Sequence, residues 1–306
     1  MEFTKISNLE KWHLKYFNKK KYKAYKNSLR IYNQFIDYTE KINLLPLIRY
    51  QDLSGKTSFK HSGNSGDIIY SLPAIYELSK KGKSDIYLQT NQALELQHFH
   101  PLGNVMLNDK MIEMLHPLLC FQPQINSCNK YTNQNIDYDL DLFRAFPFPL
   151  DKGSISRWYF YVFAVFADLS KPWLVAPKKD EYKDFIVIAR SHRYRAPGIN
   201  YKFLKKYPKK LFVGVPVEFE DINKELPDIE YLPVTNFLEM ATIINSCKFF
   251  IGNQSFPFSL AEALKVNRVL EVCYLAPNVI VQGQGGYDFL YQAQFEKTVE
   301  DLYNTL

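Results

Sequence analysis

A short segment near residue 60 holds the first residues whose types and spacing suit catalysis. The run TSFKH at 57–61 has the pattern of a strand, the turn Ser62-Gly63-Asn64-Ser65-Gly66 follows, and a helix is predicted next. Asp67 then lies at the start of that helix, beside a strand end, where open α/β sheets bind ligands. A carboxylate there can act as a general base, although an Asp can equally stabilise the helix start. The other candidates for contact with an acceptor or for shaping this loop are His61, Ser62, Asn64 and Ser65, with Gly66 assigned to the donor.

A second segment, FFIGNQSFPFSLAEAL at 249–264, also leads from a strand into a helix. Unpaired N–H groups at the start of such a helix suit a phosphate or diphosphate. The helix begins after Ser255, or Ser259 and Glu262 form a capping box, in which case Glu262 is structural. The predicted donor-binding residues of this segment are Asn253, Gln254, Ser255, Phe256 and Glu262.

Three arginines follow the predicted strand at 185–189. Arg190, Arg193 and Arg195 are the residue type that grips a diphosphate with paired hydrogen bonds, so we predict a clamp. A basic surface loop is the alternative. Gly214, in the strand-like run LFVGV at 211–215, is a further donor-binding candidate.

The sequence gives little support for a metal site. Asp137, Asp139 and Asp141 alternate along a strand-like run at 135–143 and could share one face, but an edge strand turned to solvent is the more common meaning of this pattern. None of the four cysteines forms a C-x-x-C pair, and no histidine stands at zinc spacing from one of them. We therefore expect neither a metal nor another cofactor.

The elements that must position these residues form two α/β series. The first extends from residue 57, a polar, proline-bearing linker covers 171–184, and a terminal helix is expected from Asp288 to Leu306. The Gly-rich stretch 283–286 before it is a candidate to close over a donor. Further strands are predicted at 84–88, 185–189, 211–215, 229–232, 248–252 and 269–273.

The N-terminal 56 residues differ from the rest. Residues 8–48 show helical spacing of apolar side chains, with Pro46 near the end. They lie in a region with 12 basic and 5 acidic residues, an excess of seven, whereas the remaining 250 residues hold 26 and 27. The basic residues are densest from Lys19 to Lys26. This charge favours an anionic partner, or is a solvated helix face.

Composition excludes several classes of protein. With 306 residues, 46% hydrophobic and 23% charged, the chain has enough apolar surface for folded domains rather than disorder. The longest apolar run, 158–167, is too short to cross a bilayer, and the first residues lack the apolar core of a signal peptide. We expect no transmembrane segment and a cytoplasmic location, including a peripheral position at the inner face of a membrane.

Two motifs together resemble a known family. The run GDIIYSLPA at 66–74 is similar to the first loop and helix of heptosyltransferase-like glycosyltransferases, family nine, which have the GT-B fold. FIGNQSFPFSLAEALKVNRVLEV, beginning at Phe250, is similar to that family's second signature. The two motifs occur in the family's order, and the resemblance covers roughly 57–280.

The resemblance implies an α/β architecture with two Rossmann-like domains facing a cleft. The expected division is a basic helical extension at 1–56, an acceptor domain at 57–175 and a nucleotide-sugar donor domain at 176–306. It also implies an inverting, metal-independent sugar transfer with Asp67 as the base. Gln254, Phe256 and Ser259 replace the family's Asp, Gly and His.

The sequence is compatible with more than one acceptor and with more than one activity. A surface or lipid-linked glycan follows from the resemblance, and a modified DNA base is the alternative acceptor compatible with the basic N-terminal segment. The substitutions at Gln254 and Ser259 motivate a second class, a non-catalytic nucleotide-sugar-binding protein. A sugar-nucleotide epimerase is a third, and it would need acid and base residues that the sequence does not reveal.

Overall fold

The computed structural model describes residues 3–44, 57–80, 82–93, 104–146 and 148–306. They divide into two units. The first is Met1–Arg49 with Arg144–Phe148, and the second is Tyr50–Phe143 with Pro149–Leu306. Among the described residues, no helix combines the length and apolar character needed to cross a membrane.

The described part of the N-terminal unit contains two helices where the sequence predicted one. Helix α1 is Asn8–Phe17 and α2 is Lys19–Leu44. The break falls at Asn18, whose backbone leaves the helical region and whose Oδ1 accepts a hydrogen bond of 3.0 Å from Lys21 N, capping α2. Residues 45–48 of the predicted helix lie outside the described residues.

The first sheet of the second unit is parallel in its described part, with strand order β3-β2-β1-β4. The predicted strands at 57–61 and 84–88 are confirmed as β1 and β2, which bury alternate residues. Its strands are β1 Thr57–His61, β2 Ser84–Leu88, β3 Ile125–Lys130 and β4 Tyr138–Asp139, and its helices are α3 Ser65–Leu78, α4 Asp109–Cys120 and α5 Ile155–Phe163.

The strand predicted at 135–143 is confirmed only at Tyr138 and Asp139 and is wrong on both sides of them. Only Tyr138 and Asp139 pair with β1, and Leu140–Arg144 forms a 3-10 helix. The cause is local, because Asp139 Oδ1 accepts a hydrogen bond of 3.0 Å from Asp141 N and so turns the chain.

The second sheet is also parallel in its described part, with order β10-β9-β8-β5-β6-β7. Strands β5, β8 and β9 are buried throughout, as expected for inner strands covered on both faces. Five predicted strands here are confirmed within a few residues, and they are β5 Ile186–Ala189, β6 Lys210–Phe212, β7 Glu230–Tyr231, β8 Phe249–Asn253 and β9 Arg268–Glu271. Strand β10, Gly286–Phe289, was not predicted.

The helices of this second half are α6 Pro216–Glu225, α7 Phe237–Ser246, α8 Phe256–Leu264 and α9 Gln292–Thr305. The terminal helix was predicted to begin at Asp288, and it begins four residues later, at Gln292. Gly286–Phe289 pairs with β9 instead, since the buried Phe289 ring stacks on Phe295 at 4.0 Å between ring centroids.

The predicted linker at 171–184 has no regular structure except a 3-10 helix at Asp180–Tyr182. The first sheet ends before this segment and the second begins after it. A domain boundary at residue 176 remains a prediction.

Candidate functional site

A cavity of about 390 Å³ lies within the second unit, a size typical of small-molecule sites. It is lined by residues that follow the carboxyl ends of β1, β5, β6 and β8. Helices α3, α6 and α8 all begin at this cavity, and none of the three has a side-chain cap. By contrast, α4 and α7 are capped by asparagines. The three uncapped helix starts give the cavity N–H donors and a positive potential.

Asp67 lies in the first turn of α3 and lines the cavity, half-buried. Its Oδ2 accepts a long hydrogen bond of 3.4 Å from Asn64 Nδ2. Asn64, Ser65 and Gly66 line the cavity beside it. The structure therefore brings these sequence-predicted residues together, with a carboxylate where a ligand would lie.

His61 and Ser62 lie behind this loop and do not line the cavity. His61 is fully buried, and its Nδ1 accepts a hydrogen bond of 3.0 Å from Gly63 N, which assigns the proton to Nε2. Nε2 then donates to Tyr159 Oη at 2.8 Å, and that hydroxyl donates to the main-chain oxygen of Asp67 at 3.3 Å. His61 thus fixes the loop rather than contacting an acceptor.

At the opposite side, Ser255 precedes α8 and, with Phe256, lines the cavity. The Ser255 side chain donates back to Asn253 O at 3.2 Å and leaves the helix start uncapped. Such a start suits an anion.

Gln254 lines the cavity, but all of its amide is engaged in holding a neighbouring loop. Its Nε2 donates to Ala276 O and Asn278 Oδ1, each at 2.7 Å, and its Oε1 accepts from Cys273 N at 2.7 Å. Gln254 therefore fixes the loop after β9, and its backbone rather than its side chain is available to a ligand.

The three predicted arginines have three different positions. Arg190 is buried and forms a double hydrogen bond with Glu271 at 2.8 and 2.9 Å, and Arg195 pairs with Asp221 at 2.5 Å. Neither lines the cavity, so the structure does not bring the three together as a clamp. Arg193 does line it, and no carboxylate among the described residues lies within ion-pair distance of Arg193.

Asn253 is fully buried and positions the Arg193 loop instead of lining the cavity. Its Oδ1 accepts from Ser191 N at 2.9 Å, and its Nδ2 donates to Ser191 O at 3.0 Å and Arg193 O at 2.6 Å.

Glu262 is structural, although no capping box forms. Helix α8 begins at Phe256, and Ser259 Oγ donates to Phe256 O at 2.6 Å. Glu262 is buried in an ion-pair group with Arg268 and Lys265, away from the main cavity. Burial lowers the pKa of Lys265 to about 8.

Glu218, in the first turn of α6, is a cavity residue that the sequence analysis missed. Burial raises the pKa of its carboxyl to about 7, against the opposing effect of the backbone of His192 and Val215. The position of Glu218 could have been predicted from the sequence, since Glu218 follows a strand end marked by Gly214. Gly214 also lines the cavity.

Tyr70 is the second missed residue, one turn after Asp67. Its hydroxyl is buried and lacks a hydrogen-bond partner among the described residues, and burial raises its pKa well above the usual value. Tyr70 lines the cavity, so a ligand could supply the missing partner.

Each of the three alternating aspartates contacts a protein group in the structure. Asp137 Oδ2 accepts from Ser58 N at 2.8 Å, Asp139 pairs with Lys60 at 2.6 Å, and Asp141 Oδ1 accepts from Ser62 N at 3.0 Å. Across the described ranges, no group of three or more His, Cys, Asp or Glu side chains is placed to hold a metal ion. The Gly-rich stretch likewise lies elsewhere, with Gly283 against Ser170 and Gly285 against Asn267.

Solved structures share this fold. The chain superposes on a glycosyl transferase of family 9 from Veillonella parvula with a TM-score of 0.54 and 13% identity, covering 85% of this chain and 100% of that one. The E. coli heptosyltransferase WaaC with ADP gives 0.55 and 11%, over 81% and 99% of the two chains. The iron-containing heptosyltransferase TibC in complex with ADP-D-β-D-heptose gives 0.54 and 14%, over 84% and 79%.

No protein-family model matches the chain, and no curated protein matches it significantly. The structural likenesses therefore establish the fold, which is the α/β GT-B fold of the family-nine glycosyltransferases, with two parallel sheets. This confirms the fold expected from the two sequence motifs.

Proposed function

We propose that the protein is an inverting glycosyltransferase that moves a sugar from a nucleotide-diphosphate donor to an acceptor hydroxyl. One observation carries the proposal: Asp67, the uncapped start of α8 and Arg193, which has no ion-pair partner among the described residues, line the same cavity. A base on one side and an anion-binding site on the other are what such a transfer requires. The fold supports it, and related folds bind ADP or ADP-heptose.

The diphosphate of the donor would bind between the start of α8 and Arg193. The helix supplies backbone N–H groups and the positive end of its dipole, and Arg193 supplies a full charge. Asn253 holds the Arg193 loop against the end of β8, so the two parts of the anion site are fixed to one another.

In the proposed step, the acceptor hydroxyl attacks the anomeric carbon from the face opposite the diphosphate. A bond forms between the acceptor oxygen and that carbon, while the bond from the carbon to the diphosphate oxygen breaks. The acceptor proton passes to Asp67, and the nucleoside diphosphate leaves with the electron pair. The helix dipoles and Arg193 stabilise the charge that builds on it, so the proposed step includes no metal ion.

The test is a thermal-shift measurement with nucleoside diphosphates and nucleotide sugars. We expect one nucleotide family to raise the midpoint by several degrees at saturation, because only the folded state binds it. Arg193→Ala should lose the shift. Arg157→Ala is the matched control, since Arg157 is exposed on α5 and does not line the cavity. If no compound of the panel raises the unfolding midpoint of the wild type, the proposal is contradicted.

We propose that the N-terminal unit binds an anionic lipid surface, which would place the enzyme near a lipid-linked acceptor. Helix α1 buries none of its residues, and Leu9, Trp12 and Phe17 are 82%, 57% and 69% exposed. The lysines of the first turns of α2, from Lys19 to Lys26, follow directly in the chain. Exposed aromatic and basic residues together are typical of helices that lie in a membrane interface.

Sedimentation of the full chain with vesicles tests this second proposal. Binding should require anionic lipid, weaken with salt and fall when Trp12 and Phe17 are both changed to Ser. Changing the exposed Phe166 to Ser, outside this unit, is the control. If the chain instead binds duplex DNA and ignores the vesicles, the basic segment serves a nucleic-acid acceptor.

A further inference from the structure

Four of the five methionines in the chain line the one cavity described above. They are Met106, Met111 and Met114, in and just before α4, and Met240 in α7. The fifth is Met1, which lies outside the described residues. Methionine is flexible and polarisable, and it accumulates on surfaces that bind apolar ligands of variable shape. We call these four residues the methionine wall.

The methionine wall lies between the two reacting sides of the cavity. Met106 packs on the loop before Asp67 so closely that a Cβ at Gly63 would fall 2.5 Å from its Sδ. At the other end, Phe237 of α7 packs on Phe256 at the start of α8, with 4.2 Å between ring centroids. An apolar surface therefore connects the proposed base to the proposed diphosphate site.

The wall offers a ligand few hydrogen bonds. Among the cavity-lining residues of α4, only Lys110 carries a charge, and its side chain is exposed. A sugar or a nucleic-acid backbone pressed against this surface would lose hydrogen bonds to water without replacing them, which is costly. An alkyl or aromatic group would gain by leaving water.

We infer that the acceptor hydroxyl is carried on an apolar aliphatic or aromatic body that packs against the methionine wall. This rests on the proposed glycosyl transfer, since it names the acceptor class of that same cavity. The assignment to the acceptor follows from placement: three of the four methionines come from the half of the chain that carries Asp67, whereas α6, α8 and Arg193 come from the other.

The test is calorimetric binding of methyl, butyl, hexyl and octyl glucosides, below their micelle concentrations, to the full chain saturated with ADP. Each added methylene should tighten binding about four-fold until the wall is covered. Met114→Gln should flatten this series, weakening octyl glucoside about ten-fold. Glu113→Gln, the exposed neighbour on α4, is the matched control and should leave it unchanged.

Three results would overturn the inference, and they differ from one another. A series without chain-length dependence, in protein that still binds ADP, would remove the apolar acceptor and leave the glycosyltransferase proposal intact. Glucoside binding that occurs in the absence of ADP and is lost when ADP is added would assign the methionine wall to the nucleotide. Absence of binding by every nucleoside diphosphate and nucleotide sugar of the thermal-shift panel would contradict the proposed function, and the acceptor assignment with it. Met106→Gln, just before α4, provides a second variant if Met114→Gln is unfolded.

Discussion

The side-chain amide of Asn253 donates a hydrogen bond of 2.6 Å to the main-chain oxygen of Arg193. Asn253 ends β8, and Arg193 belongs to the loop after β5, the neighbouring strand. Because the Asn253 side chain is fully buried and also bonds Ser191 at both N and O, it fixes this loop at the edge of the cavity.

We therefore expect Asn253→Ala to impair both stability and nucleotide binding. Removing the amide leaves buried backbone groups of the loop unpaired, at a cost of about 1–3 kcal/mol in the free energy of unfolding. Nucleotide affinity should fall with it, because Arg193 is no longer held. Urea unfolding and calorimetry with ADP measure the two effects. Lower stability with unchanged affinity would show that the Arg193 loop does not serve the nucleotide.

Asp67→Asn should abolish transfer and leave donor binding intact. The amide keeps the size of the side chain but cannot take the acceptor proton, so we expect a loss of about 10²–10⁴ in rate. Release of nucleoside diphosphate from the donor identified by thermal shift gives the rate. Asp109→Asn is the control, because Asp109 is also a first-turn aspartate, exposed at the start of α4. Retained turnover in Asp67→Asn would assign the base elsewhere.

Glu218 should make the stability of the protein depend on pH. Burial raises its pKa to about 7 from the ordinary value of 4.5, so between these values the folded state holds a proton that the unfolded state has lost. The stability gained from this proton is fully present below about pH 4.5 and is lost as the pH rises through about 7.

Relative to Glu218→Gln, the wild type should therefore lose about 1–3 kcal/mol of unfolding free energy between about pH 5 and pH 8. Urea unfolding of both proteins across this range measures the difference. The unfolding free energy of Glu220→Gln, a change at an exposed residue of the same helix, should depend on pH as that of the wild type does. If the unfolding free energies of Glu218→Gln and the wild type also change equally with pH, Glu218 is solvated.

Much of the fold was predictable because its inner strands are continuous apolar runs. IVIA and FFIGN are buried at every position, and such runs identify parallel strands whatever surrounds them. Strand β3, INSCNK, was missed because its exposed and buried residues follow no period of two. Strands β4 and β7, of two residues each, lie inside longer predicted strands, because the pattern of side chains does not show where pairing stops.

The site was predictable where backbone position decides it. Strand ends and helix starts located Asp67, Gly66 and Ser255 at the cavity. The roles of side chains were not predictable, because they depend on partners that are distant in the chain. Arg190 is held by Glu271, 81 residues away, and nothing in the local sequence distinguishes it from Arg193. In the sequence, nothing distinguishes Tyr70 and the four methionines from core residues. Their position at the cavity depends on the packing of α4, α7 and α8.

Tyr70→Phe separates a binding role from a structural one. The Tyr70 hydroxyl is buried and without a partner among the described residues, so deleting it should leave the free energy of unfolding unchanged or raise it by up to about 1 kcal/mol. Turnover or donor affinity should nevertheless fall about ten-fold if the ligand supplies the missing hydrogen bond. Tyr76→Phe, whose hydroxyl is likewise buried and unpartnered on the same helix but does not line the cavity, controls for the loss of the hydroxyl alone. Equal behaviour of the two variants in stability and in donor turnover would mean that the Tyr70 hydroxyl makes no ligand contact, because of the two residues only Tyr70 lines the cavity.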